Sequence, residues 1–421
     1  MLTEGFDTMD YCEAVQYMES ECAAGSKYDL SRIEELLQRL GNPEKKLKLV
    51  HVAGTNGKGS ISRMLQSILT EAGYKTGIFN SPFLGSPREY LCIDGINADE
   101  REYAESVERI RNSVEAEPEM QDRPTEFELS FALAADYFFR NNCDIAIIEC
   151  GLGGLTDATN CIPAPELAII ANIGLDHVKL LGNTLAEIAA QKSGIIKEGS
   201  AVVAYPSEKE ALDVIINTCR KRKCELIIPD ISGTEYELSL KGEFQKRNAS
   251  VVLAAVKVLR KRGFEIDETA VRSGFANTVW PARFEIMSEN PLIIIDGGHN
   301  SQCVDAFCEN LDKMKIKNAI FIIGVMADKA YREMFIKLKK YVGLAIITEP
   351  SNPRRLNCIE GAAVWKELGK ETAAAAGPAE AVRLAFSQYK KADYSAIIAT
   401  GSLYMMDEVR NAIKYHLLNN T

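Results

Sequence analysis

Nowhere in the 421 residues does an apolar run reach the ~18 that a bilayer-crossing helix requires, so no membrane association is expected. The N-terminus, MLTEGFDTMDYCEAV, lacks a basic segment followed by an apolar stretch, which argues against a secretory signal. A basic excess is missing as well. The formal net charge is −10, and phosphate backbones demand clustered Lys and Arg, so nucleic acid is not an expected partner. The two short basic runs, Arg220–Lys223 and Arg260–Arg262, each close an apolar helical pattern and read as solvated helix ends. CxxC spacing is absent. The eleven cysteines are odd in number and scattered, several in apolar segments such as those holding Cys143 and Cys219. That pattern argues against a disulfide framework or a zinc site and fits free thiols in a reducing cytoplasm. Histidine is scarce, with four in the chain, so one beside a phosphate-type motif carries weight.

What is present is an ordinary globular mix, 46% hydrophobic and 26% charged, in a chain too long for one core; two or three domains are expected. Near the start, Tyr11, Ala14, Val15 and Met18 share one helical face. Leu30, Ile33, Leu36, Leu37 and Leu40 share another, stopped by Gly41 and Pro43. Strands and helices then alternate. Residues 47–53 and 76–79 read as strands, Ile61–Leu69 as a helix ended by Gly73, and Ile145–Glu149 and Leu167–Ile173 as buried strands. Thr125 and Glu128 form a candidate capping box for a helix over Phe127–Arg140. The alternation predicts an α/β fold with a mostly parallel sheet covered by helices. A second alternating block, with strands at Leu292–Asp296, Ala319–Gly324, Leu344–Thr348 and Ser395–Thr400, predicts a second, smaller α/β domain. The stretch Val279–Pro291 is the natural boundary, so domains over 1–283 and 284–421 are expected.

The strongest local signal is Gly54-Thr55-Asn56-Gly57-Lys58-Gly59-Ser60, between a strand and a helix. Glycines let the backbone turn tightly and aim its N–H groups inward, and the helix N-terminus adds positive potential; together they make a phosphate cradle. Lys58 suits β/γ-phosphate charge and Ser60 a magnesium ion. The spacing is shorter than the general GxxxxGK[ST] pattern, with Gly59 between the lysine and the hydroxyl. Glu149 ends an apolar strand just before Cys150-Gly151-Leu152-Gly153-Gly154 and Asp157-Ala158-Thr159-Asn160, where ligands bind in such sheets. It reads as a metal-holding or orienting carboxylate, or as a strand-end acid facing water. Gly153 and Gly154 imply close approach of a ligand or of neighbouring backbone. Asp176-His177 follows another strand; the histidine reads equally as a metal ligand or as a bonded loop residue, and magnesium prefers oxygen. Lys192 closes a helical segment before Gly194, which by itself suggests a helix-dipole partner. In the second block a strand delivers Asp296-Gly297-Gly298-His299-Asn300, a nucleotide or substrate edge, or a tight turn with Asn300 as helix cap. Arg283, in Trp280-Pro281-Ala282-Arg283-Phe284-Glu285, could clamp a phosphate or carboxylate or form a structural ion pair.

In this order, these pieces resemble the folylpolyglutamate synthase/dihydrofolate synthase family, a branch of the Mur ligase superfamily. The resemblance runs nearly end to end, from Tyr11–Gly41 through HVAGTNGKGS at 51–60, Ser81-Pro82, Thr125–Glu128, the glycine and DATN segments at 151–160, Asp176–Gly182 and WPARFE. It continues through DGGHN, Asp328-Lys329 and Asn352-Pro353-Arg354 to Gly401–Tyr404. It implies a P-loop-type parallel sheet domain, a Rossmann-like C-terminal domain and ATP between them. Gly54, Thr55, Asn56, Gly57, Lys58, Gly59 and Ser60 would then bind the triphosphate. Ser81, Glu149 and His177 would hold Mg2+, and Lys192 would be the family's carbamylated lysine, since an unmodified ammonium beside magnesium is repelled. Asn248 and Arg283 would contact the nucleotide, and Asp296 and His299 would serve ATP positioning and catalysis. The implied activity is ATP-dependent ligation of L-glutamate to a folate through an acyl phosphate. Dihydropteroate is a further candidate acceptor, the working unit is a monomer and the location is the cytoplasm.

Three positions depart from the family pattern. Phe83 stands where histidine usually follows Ser-Pro, Leu155 where Arg or Glu commonly follows the double glycine, and Tyr90 where arginine follows Glu89. They lie in segments that handle the pterin or the carboxylate, so they bear on substrate choice and leave ATP chemistry intact. A sister Mur-type ligase joining a different acid and amino acid would share the nucleotide machinery and differ there. A P-loop NTPase switch would leave Lys192 and DGGHN without a purpose. A catalytically dead binding protein has no reason to keep Lys58, Glu149, His177 and Lys192.

Overall fold

Five consecutive buried residues form β1 (Leu49–Ala53), in the interior of the first sheet of this computed structural model, which describes residues 9–20, 29–116, 120 and 122–419. The chain divides into two compact units, residues 1–239 with 247–279, and residues 240–246 with 280–421. In the first, β1 is joined by β2 (Thr76–Phe79), β3 (Cys92–Ile93), β4 (Ile96–Asn97), β5 (Ile145–Glu149), β6 (Leu167–Ile170), β7 (Ala201–Ala204) and β8 (Leu226–Ile227). The order is β4-β3-β2-β5-β1-β6-β7-β8, parallel except for β3 and β4 at one edge. Every residue of β1, β2, β5, β6 and β7 is buried, as expected of parallel strands covered on both faces.

The helix Glu126–Arg140 opens on the anticipated capping box: Thr125 N donates to Glu128 Oε2 at 2.7 Å, and Glu128 N to Thr125 Oγ1 at 3.3 Å. The same carboxylate lies 3.3 Å from Arg32 Nε, so a buried ion pair ties this cap to the helix Ser31–Arg39. Ile33, Leu36 and Leu37 of that helix enter the core with Leu129, Phe131 and Leu133. The other N-terminal helix is Tyr11–Ser20; residues 21–28 lie outside those described. Because β5, β1 and β6 are adjacent and parallel, with Val52 opposite Glu149 and Ala53 opposite Ile170, the loops after all three leave from one edge.

The second unit holds β9 (Glu285–Glu289), β10 (Leu292–Asp296), β11 (Ala319–Ile323), β12 (Val342–Thr348), β13 (Glu371–Ala375) and β14 (Ile397–Thr400). Their order is β13-β12-β11-β14-β10-β9, parallel except for β9. Two of these strands, β9 and β13, were not anticipated. Trp280–Arg283 fall in this unit, not at the end of the first, because Ala282 O accepts from Gly297 N at 2.8 Å and Phe284 N donates to Asp296 Oδ2 at 2.9 Å. Phe321, Phe335, Trp365 and Ile398 form its core, with the Phe335 and Trp365 rings 5.0 Å apart.

Candidate active site

The loop after β1 turns into the helix Lys58–Glu71 with Gly57 at its N-cap, at φ +90°. An L side chain is strained there, and a Cβ would also stand 2.8 Å from Asn248 Oδ1. A Cβ on Gly54 would stand 2.6 Å from that of Ala171. The loop is also tied laterally: Thr55 N donates to Asn172 O at 2.7 Å, and the Thr55 hydroxyl bridges Gly174 N and O, each at 3.0 Å. The cradle expected from Gly54–Ser60 is thus held against the loop after β6, with Ser60 buried in the first helical turn and Asn248 beside it.

Three charged side chains meet at this loop. Lys58 Nζ donates to Gly54 O at 3.1 Å and lies 3.7 Å from Glu149 Oε1. Lys192 Nζ donates to the same Gly54 carbonyl at 2.8 Å. Glu149 is buried, and its Oε2 accepts from Asn80 Nδ2 at 2.7 Å. The water-facing alternative for Glu149 therefore fails, as does the helix-dipole alternative for Lys192. Lys192 ends the helix Leu185–Lys192, but its side chain is 4% exposed. Burial, and then the Lys58 charge, bring its ammonium down to about 7. Asn80 was not read from the sequence. Its Oδ1 is buried without a hydrogen-bond partner, and it precedes Ser81.

The segment 150–160 shapes the wall beside Lys192. A Cβ on Gly154 would meet the carbonyls of Lys192 and Gln191 at 2.8 and 2.9 Å, and one on Gly194 would meet Leu155 Cα at 2.3 Å. Leu155 N donates to Gln191 O at 2.8 Å, and Asn160 Nδ2 to Leu155 O at 3.0 Å. At Gly154 the close approach is therefore by backbone. Asp157 organises the turn by accepting from Leu152 N, Thr159 N and the Thr159 hydroxyl. Burial pushes its carboxyl up, against these bonds and the Lys58 charge. His51, fully buried on β1, reaches Thr159 Oγ1 at 2.9 Å and Cys150 Sγ at 3.1 Å. Burial holds its ring neutral, at about 3. It ties the sheet to this turn, a role its place in the motif did not reveal.

His177 adopts φ +50° at the start of the short helix Val178–Leu181, with Nε2 3.9 Å from Asp176 Oδ1. Among the described residues no three His, Cys, Asp or Glu side chains form a group that could hold a metal. Leu155 is 46% exposed. Phe83 and Tyr90, two of the three departures from the family pattern, touch edge to face with ring centroids 5.4 Å apart.

In the second unit Asp296 ends β10 and is buried. Its Oδ1 accepts from Gly298 N at 2.8 Å and its Oδ2 from Phe284 N at 2.9 Å. Burial raises its carboxyl, and the Arg283 charge opposes the rise. His299 Nδ1 lies 3.2 Å from Gly297 O, and Asn300 caps the helix Ser301–Lys313 through Cys303 N. Arg283, Asp296 and His299 thus share one edge, and Asn300 plays the capping part.

The Mur ligase middle domain family model matches residues 52–228, and the model for the Mur ligase glutamate ligase domain matches residues 282–403. A Bacillus subtilis dihydrofolate synthase/folylpolyglutamate synthase is 32% identical, covering 96% of this chain and 99% of its own. Mycobacterium tuberculosis folylpolyglutamate synthase complexed with ADP superposes with a TM-score of 0.87 at 26% identity, covering 95% of this chain and 97% of that one. An FPGS–AMPPCP–folate complex gives 0.84 at 29%, covering 96% and 100%.

Proposed function

Because the chain belongs to the folylpolyglutamate synthase/dihydrofolate synthase family, we propose that this ATP-dependent ligase joins L-glutamate to the γ-carboxylate of a reduced folate through an acyl phosphate. The observation that carries the proposal is the convergence of Lys58 and Lys192 on the Gly54 carbonyl, with Glu149 3.7 Å from Lys58, at the mouth of a glycine loop opening a helix.

The chemistry must bring two anions together, a carboxylate and the γ-phosphate. The loop N–H groups, the start of the helix Lys58–Glu71 and the Lys58 ammonium supply fixed positive potential for the phosphates. Asn248 lines the loop at Gly57, and we assign Arg283, in the second unit, to contact with the nucleotide. The carboxylate oxygen attacks the γ-phosphorus, ADP leaves and an acyl phosphate forms. The neutral amine of glutamate then attacks the acyl carbon, an amide forms and phosphate departs. Asp296 commits both its oxygens to backbone N–H groups, so we assign it to positioning. His299, two residues beyond Gly297, is the titratable group left to handle a proton at that edge.

Magnesium takes oxygen ligands and usually only one or two protein carboxylates, the substrate phosphates completing its shell. Glu149 fits that demand, with Asn80 hydrogen-bonded to it and carrying an orphaned Oδ1, and with Ser81 next to Asn80 in sequence. Bound there, the ion would neutralise phosphate charge. Carbamylation of Lys192 fits as well. An amine brought down to about 7 is substantially neutral at cellular pH, and a neutral amine adds carbon dioxide, forming an N–C bond and releasing a proton. The resulting anion would support the metal and face Lys58. His177 joins this set as its single nitrogen donor.

The Bacillus subtilis relative is named for both activities, which favours dihydropteroate as a second acceptor. Incubation with ATP, magnesium, labelled glutamate and either tetrahydrofolate, methylenetetrahydrofolate or dihydropteroate, read as amide product by mass alongside ADP, tests both points. Product with none of them would hand the reaction to a sister ligase whose substrate is set by Phe83, Tyr90 and Leu155. The described cysteines are free thiols, in keeping with a cytoplasmic location.

A further inference from the structure

Arg283 sits between two residues that a polypeptide rarely places as they are found here. Ala282 has φ +57° and Phe284 φ +51°, both fully or nearly buried. A bulky, non-glycine residue in the left-handed region is an outlier that persists only where its surroundings over-determine it. Three bonds do so. Gly297 N donates to Ala282 O, Phe284 N donates to Asp296 Oδ2, and Ala282 N donates to Glu285 Oε2 at 2.8 Å. The first two anchors belong to the strand end that carries Asp296. The third is a side chain, and a carboxylate on β9 would turn to water if nothing held it. What holds it is Arg410, from the helix Met406–Asn419, whose Nε reaches Glu285 Oε1 at 2.9 Å and Oε2 at 3.2 Å. Both side chains are mostly withdrawn from solvent, at 24% and 21% exposed.

We propose that Glu285 and Arg410 are positioning residues for Arg283: the pair pins the Ala282 N–H and so keeps the strained bracket, and the guanidinium it presents, in one orientation. The C-terminal helix thereby acts on the nucleotide-facing edge without touching substrate. The proposal rests on the nucleotide role assigned to Arg283 above.

A double-mutant cycle on the full-length protein separates the two, with the affinity for AMPPCP and magnesium as readout and thermal unfolding as a check on folding. Arg410→Met keeps the aliphatic stem and removes the bond to Glu285. It is expected to weaken AMPPCP by about tenfold, the scale of a slightly misplaced clamp. Arg283→Ala is expected to weaken it at least as much, and Arg410→Met added to Arg283→Ala should cost less than a further twofold. Arg410→Lys, which keeps a cation for Glu285, should recover affinity to within about threefold of the parent. Penalties that multiply in the double variant would mean that the pair acts elsewhere in the fold and would overturn the proposal. So would loss with Arg283→Ala but none with Arg410→Met, which leaves the nucleotide role of Arg283 standing. Normal affinity in Arg283→Ala would overturn that role and the proposal together.

Discussion

Replacing Lys192 with methionine should make the stability of the protein respond differently to pH. In the folded chain this amine is buried against the Gly54 carbonyl near Lys58, and its pKa falls from 10.5 to about 7. The unfolded chain keeps the ordinary value, so between these two pH values the unfolded state holds the extra proton and stability rises with pH, by at most about 1.4 kcal/mol per unit. Below about pH 7 both states are protonated and the full penalty stands, about 5 kcal/mol for a shift of this size. From about pH 7 to about pH 9 the parent should therefore gain about 2 kcal/mol relative to Lys192→Met. Denaturant unfolding of both proteins in carbon dioxide-free buffer measures this directly. A stability difference that stays flat across that range would refute the burial argument. With bicarbonate restored, the parent should gain the mass of one carbon dioxide under gentle ionisation, and Lys192→Met should not. The same variant should lose ligation by at least about a hundredfold.

Lys58→Ala should cut kcat/KM by about a hundred- to a thousandfold, with unchanged circular dichroism, since its ammonium meets the loop from outside the core. Asn80→Leu removes the amide that holds Glu149 and should raise the magnesium concentration for half-maximal activity by about tenfold or more; manganese binding followed by electron paramagnetic resonance checks it without turnover. Gly194→Ala drives a Cβ to 2.3 Å from Leu155 Cα, a backbone that has no free rotamer to yield, and should cost about 1–3 kcal/mol in denaturant unfolding.

The sequence was most legible where a signal is local. The capping box at Thr125 and Glu128, the buried runs that became β1, β2 and β5, and the glycine loop all depend on neighbours a few residues away. It was least legible where partners meet across long separations. Lys192 ends a helix as expected, but its place depends on a carbonyl 138 residues earlier, and Asn80 meets Glu149 across 69. Gly154 and Gly194 are explained by the opposing backbone at Gln191–Lys192 and at Leu155, which no periodicity encodes. The strand Glu371–Ala375 is built mostly of alanine, a poor strand former; its pairing with Val342–Thr348 overrides propensity. The departure at Phe83 and that at Tyr90 gain meaning together, as a ring contact that replaces two polar positions.

The most direct test of the central claim follows oxygen. A tetrahydrofolate carrying heavy oxygen in its γ-carboxylate is incubated with ATP, magnesium and glutamate. An acyl phosphate route predicts amide product together with inorganic phosphate that carries one heavy oxygen, because the carboxylate oxygen that attacked phosphorus leaves with it. Amide product with unlabelled phosphate would contradict that route, and ADP with unlabelled phosphate and no amide would make the protein a nucleotide hydrolase.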